Sequence, residues 1–251
     1  MLPVFVLLIA GAVAFDESAF ANVDKYVFDW SGTISDDVSA VYEACTRLAV
    51  AYGFDIEPYE DWIQLESATP EDDLARMQAS SCSEAIRTAT PESYRREFTK
   101  VLLAVHEELP DMRPCPLTRA SLALKLFDVI RPGLLLFVLS GAPQAELVRE
   151  IADYGLYGVF DERVLGDCRD EAAGLTYLAN LLDINASAIA YVGDTTSDVE
   201  AAHRAGAIAV AVSSGYHTPA KLRSANPDVL YSDILEYAVA VAHAKQQQRG
   251  S

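Results

Sequence analysis

Ala188-Ile189-Ala190-Tyr191-Val192-Gly193-Asp194-Thr195-Thr196-Ser197-Asp198 is an apolar run that ends in Gly-Asp, with a second Asp four residues further on. A short apolar run bounded by a turn signal suits a strand buried on both faces of a parallel sheet. Phe28-Asp29-Trp30-Ser31-Gly32-Thr33-Ile34 repeats this build at the end of an earlier run, residues 26–30. A carboxylate at the tip of such a strand stands at the open end of the sheet. The glycine that follows lets the chain turn so that backbone amides face a ligand. For Asp29 taken alone, a helix-capping role is the competing reading.

Working outward, residues 134–139, 208–212 and 229–231 are further strand candidates rich in Val, Ile, Leu, Phe and Tyr. Residues 144–154, 172–182, 198–205 and 219–225 have helical character and lie between the later runs. Strict alternation of strand and helix predicts the α/β class: a doubly wound, Rossmann-like parallel sheet with helices on both faces. Its site lies at the carboxyl ends of the strands. Residues 39–113 break the pattern. They contain no convincing strand, only helical spacing (Val41, Cys45, Leu48, Ala49; then Phe98, Val101, Leu102, Val105) interrupted at Gly53, Pro58, Pro70 and Pro91. This predicts a helical cap over residues 39–113, inserted into a core of residues 22–38 and 114–251.

Residues 1–21 form a separate apolar segment. The run 2–15 is 14 residues long, short of the roughly 20 needed to span a membrane. Ala19-Phe20-Ala21 suits signal peptidase, but no Lys or Arg precedes the run, so the signal is incomplete. A cytoplasmic protein is the expectation, with export through a signal peptide as the alternative. The chain of 251 residues carries 19 Lys+Arg against 37 Asp+Glu, a formal charge of −18. This excess argues against nucleic acid, which requires a basic stripe. Cys45, Cys82, Cys115 and Cys168 contain no CxxC pair and read as reduced thiols, although the spacing leaves a disulfide open. On oligomeric state the sequence is silent.

In a doubly wound sheet the two acidic strand ends can be neighbours, bringing Asp29, Asp194 and Asp198 together. Carboxylates that close are stable around a hard cation, and Mg²⁺ suits such a site best. A third strand ends in Leu139-Ser140-Gly141, where a hydroxyl and exposed amides can hold phosphate oxygens; a plain turn is the competing reading.

These elements, in this order and with the insertion after the first, resemble the haloacid dehalogenase superfamily with a type 1 cap, over about residues 24–235. Gly193-Asp194-Thr195 with Asp198-Val199-Glu200-Ala201-Ala202, Ala205-Gly206-Ala207, Gly215-Tyr216-His217 and Pro227-Asp228 is most similar to its phosphoglycolate phosphatase-like branch. The resemblance implies a Mg²⁺-dependent hydrolase of a small phosphorylated metabolite. By it, Asp29 is the nucleophile that forms an aspartyl-phosphate, and Ser140 binds the transferring phosphoryl group, with Gly141 and Thr33 also meeting substrate. Asp194 is a metal ligand beside Asp29 and the backbone carbonyl of Ser31, and Asp198 supports or joins that shell.

The sequence departs from the family in two places. Ser31 stands where family phosphatases carry a second Asp, whose acid catalysis is worth about 10²–10⁴-fold. Good leaving groups, slow turnover, or a replacement acid such as Asp36 or Asp37, further along the loop, are the expected consequences. The family's basic residue has only Arg169 as a counterpart, with a grip on phosphate or a surface ion pair as its two readings. Asp29-Trp30-Ser31-Gly32-Thr33 also resembles the phosphonoacetaldehyde hydrolase motif, but that enzyme needs a cap lysine, and none lies between Lys25 and Lys100. A phosphonatase-like C–P hydrolase without that lysine, and a catalytically weak protein that binds a phosphorylated ligand or partner, are the alternatives.

Overall fold

The computed structural model describes residues 23–62, 70–80, 84–117, 119–130 and 134–250. The apolar N-terminal segment and Cys82 lie outside them. In chain order, β1 (Lys25–Phe28) and β2 (Ser35–Asp36) precede a run of helices: α1 (Val38–Ala51), α2 (Tyr59–Trp62), α3 (Pro70–Ser80), α4 (Glu84–Thr88) and α5 (Pro91–Glu108). The chain continues through β3 (Cys115–Pro116), α6 (Ala120–Ile130), β4 (Leu136–Leu139), α7 (Gln144–Asp153), α8 (Tyr157–Phe160), β5 (Val164–Leu165) and α9 (Glu171–Leu181). It closes with β6 (Ile189–Gly193), α10 (Thr196–Ala205), β7 (Ile208–Val212), α11 (Pro219–Ser224), β8 (Val229–Tyr231) and α12 (Ile234–Gly250).

Six parallel strands form one sheet in the order β5-β4-β1-β6-β7-β8. Alternate residues of β1 point to opposite faces. Tyr26 and Phe28 join α6 and α12 in one apolar cluster, while Val27 joins α9 and α10 in another. This is the period-two burial that a sheet covered on both faces requires. The register pairs Phe28 with both Val138 and Val192, so Asp29, Ser140 and Asp194 emerge close together at the carboxyl edge.

Helices α1 to α5 fold around an apolar cluster of their own, built on Ala44, Cys45, Trp62, Ile86, Tyr94 and Val105. The chain leaves and rejoins the sheet region through β2 and β3, which pair antiparallel. Both are two residues long, as is β5, too short to leave a periodic signal in the sequence. Cys45, Cys115 and Cys168 are free thiols. No described helix is long and apolar enough to cross a membrane.

Candidate active site

Asp29 follows β1, Asp194 follows β6, and Asp198 lies in the first turn of α10. All three are buried, and one carboxylate oxygen from each lies within 4.8 Å of the others. Local chemistry fixes each one. Asp194 accepts a hydrogen bond from the Thr33 hydroxyl at 2.9 Å and another from the Tyr216 amide at 2.6 Å. A Cβ at Gly32 or Gly215 would overlap its carboxylate, and Gly32 has a φ of +74° that side-chain-bearing residues avoid. Asp198 closes a capping box with Thr195, accepting from its amide at 2.8 Å and its hydroxyl at 2.6 Å.

Among the described residues, none of the three carboxylates forms an ion pair with a Lys, Arg or His. Burial, then repulsion from Asp198, Glu171 and Asp194, holds Asp29 well above the usual carboxylate range. Burial, followed by Asp198, does the same to Asp194. Glu171, the first residue of α9, is pushed up to about 9 by burial and by Asp198. Three buried carboxylate oxygens collected this closely could hold a hard divalent ion.

A cavity of about 290 Å³ opens above Asp29. Ser140 and Gly141 line it from the end of β4, and Val41, Arg95, Phe98 and Leu102 line it from α1 and α5. Ser31 lines it too, its hydroxyl donating a short hydrogen bond to Asp37. Asp37 also accepts from the Tyr216 hydroxyl at 3.4 Å, and burial lifts its carboxyl to about 7. Asp36 is exposed and does not line the cavity. Of the two acids that the sequence left open, only Asp37 reaches Ser31.

Two expected site residues lie elsewhere. Thr33 is fully buried and turns its hydroxyl to Asp194 rather than to the cavity, because Gly32 folds the loop inward. Arg169 is exposed ahead of α9 and does not line the cavity, while Glu171, two residues on, does. The turn into α9 aims the acid inward where a base was expected. The sequence reading assigned no role to Glu171, and no motif marks it. His217, a simple loop residue by composition, is built into the wall. It is 3% exposed, its Nδ1 accepts from the Thr196 amide at 3.0 Å, and burial pushes its pKa down to about 4. Trp30 also lines the cavity, with its indole N–H on Glu150 at 2.7 Å and its ring stacked on Tyr154.

Strand-end carboxylates at the foot of a cavity, in this sheet order, define a class that the comparisons identify. The model of the haloacid dehalogenase-like hydrolases matches residues 26–212, and the chain belongs to that family. Within it, the chain stands with the phosphoglycolate phosphatase-like branch of phosphoric-ester hydrolases. It is 27% identical over 214 residues to the phosphoglycolate phosphatase of Synechococcus elongatus, covering 84% of this chain and 94% of that one. Two solved structures share the fold. A haloacid dehalogenase-like protein from Agrobacterium tumefaciens has a TM-score of 0.67 at 16% identity, covering 88% of this chain and 98% of that one. A hydrolase of the same family from Streptococcus pneumoniae has a TM-score of 0.63 at 14% identity, covering 86% and 97%.

Proposed function

We propose that this chain is a Mg²⁺-dependent phosphatase of a small phosphorylated metabolite, acting through an aspartyl-phosphate on Asp29. The observation that carries the reading is that Asp29, Asp198 and Ser140 line one cavity beneath α5, with the Asp194 carboxylate within 4.8 Å of those of Asp29 and Asp198. Asp29, Asp194 and the backbone carbonyl of Ser31 would hold the ion, with Asp198 supporting it. Bound there, Mg²⁺ would supply positive charge to the phosphoryl oxygens in a cavity whose sole described Lys or Arg lining residue is Arg95.

The chain's own groups do the rest. Ser140 and the amide of Gly141 bind phosphoryl oxygens and orient phosphorus towards Asp29. An Asp29 carboxylate oxygen forms a bond to phosphorus as the ester P–O bond breaks, and Asp37 gives its proton to the departing alkoxide. Asp37, now a carboxylate, takes a proton from water as that water attacks phosphorus, and Asp29 is released with inorganic phosphate. We assign this acid–base role to Asp37 on geometry, because it lies on the cavity wall and on the Ser31 hydroxyl. Residues 39–113, the proposed cap, roof the cavity and exclude water. Since no described cavity-lining residue is a lysine, the Schiff-base route has no amine among them.

Phosphate release from p-nitrophenyl phosphate and 2-phosphoglycolate, with Mg²⁺ and with EDTA, tests the reading. Mg²⁺-dependent release from either ester is the expected result, and no release from any ester in a metabolite panel would refute it.

The ion also has a signature in stability. Carboxyls raised in the folded chain, with Glu171 at about 9 against about 4 when unfolded, bind more protons folded than unfolded. Without metal, their contribution is therefore fully present near pH 4 and lost as pH rises towards 9. Mg²⁺ opposes that loss: at about 100 times its Kd it adds about 2.7 kcal/mol, or about 5–10 °C in Tm for a chain of this size. Differential scanning fluorimetry should show this gain at pH 8 and little at pH 5, where protons compete. An equal shift at both values, or none at pH 8, counts against the site.

A further inference from the structure

The cavity lining is rich in carboxylates, which is unusual for a pocket that admits an anion. Helix α7 presents Glu146 and Glu150 to the cavity, four residues apart and therefore on one helix face. Glu150 accepts the Trp30 indole N–H, and Asp37 is held by Ser31 and Tyr216. Glu146 is half-buried, and its side chain makes no hydrogen bond or ion pair with a described residue. Arg95, the sole Lys or Arg among the described lining residues, has a partner of its own. Between these groups the wall is apolar, formed by Trp30, Phe98 and Leu102.

The lining thus makes two demands. Ser140 and a bound ion would suit the phosphoryl group. Glu146 adds an uncommitted carboxylate to a cavity walled by Phe98 and Leu102, a lining that attracts an organic ammonium and repels a second anion.

We propose that the preferred ester is an aminoalkyl phosphate, whose ammonium group pairs with Glu146 and whose alkyl chain packs against Phe98 and Leu102. This inference rests on the phosphatase reading for the location of the phosphoryl group. Its test reads binding rather than turnover, so the two can fail separately.

The probes are 3-aminopropylphosphonate, propylphosphonate and 3-phosphonopropionate, which have no ester bond to hydrolyse and differ in the charge of their tails. They are titrated calorimetrically into the full chain with Mg²⁺. The amine should bind about tenfold more tightly than the propyl compound, with the carboxylate weakest. In Glu146→Gln the amine's advantage should shrink to about twofold or less. Amine binding that is absent or no tighter than that of the propyl compound overturns the proposal, as does tightest binding of the carboxylate. An amine advantage that survives Glu146→Gln overturns the assignment to Glu146. Failure of every ester to release phosphate, beside a clear amine preference, would instead count against the phosphatase reading.

Discussion

Asn in place of Asp29 should lower Mg²⁺-dependent phosphate release by about 10⁴-fold or more, the scale seen when a catalytic nucleophile is removed. The side chain keeps its shape, so the cavity persists, but an amide does not displace an alkoxide from phosphorus. The same change relieves the acid cluster. Asp29 is buried beside Asp198, Glu171 and Asp194, all of which resist its ionisation, so the neutral amide should leave the metal-free Tm unchanged or higher. Loss of turnover with an intact or raised Tm separates a chemical role from a structural one. Activity within tenfold of the parent would remove Asp29 from the mechanism.

Asp37→Asn should cost about 10²–10⁴-fold in kcat for alkyl phosphates, the usual worth of a positioned general acid. For p-nitrophenyl phosphate the loss should be far smaller in the first step, because p-nitrophenolate departs at neutral pH without needing a proton. The diagnostic is therefore the dependence of the rate on the leaving group. Parallel losses for both esters would mean that Asp37 only positions Ser31. Ser31→Ala offers a finer version, since it frees one Asp37 oxygen while leaving the carboxyl and its Tyr216 contact in place.

Much of this arrangement was legible in the chain. Asp29 and Asp194 could be placed because each ends a buried strand before a turn, and parallel pairing of β1 with β6 leaves those strand ends side by side. The helical insertion could be read from the absence of strand runs between residues 39 and 113. Other features depend on geometry too local for a sequence pattern to carry. Asp36 and Asp37 are adjacent acids. Only the two-residue strand β2 and the entry into α1 turn the first to solvent and the second to Ser31. Arg169 and Glu171 are separated just as finely by the start of α9, which leaves the first exposed and puts the second on the cavity wall. A buried Glu beside three Asp is unfavourable as a charged group, and its carboxyl is accordingly raised to about 9. Thr33 was assigned by its place in the motif, whereas the inward fold at Gly32 gives its hydroxyl to Asp194.

Tyr216 accepts two masters. Its amide holds Asp194, while its ring belongs to the apolar cluster of α1–α5 and lies 6.2 Å from that of Trp62. The helical roof and the sheet are consequently not interchangeable modules. A chimera that grafts another roof onto this sheet must reproduce a recess for that ring, or the Asp194 carboxylate loses an anchor far from the graft junctions at β2 and β3.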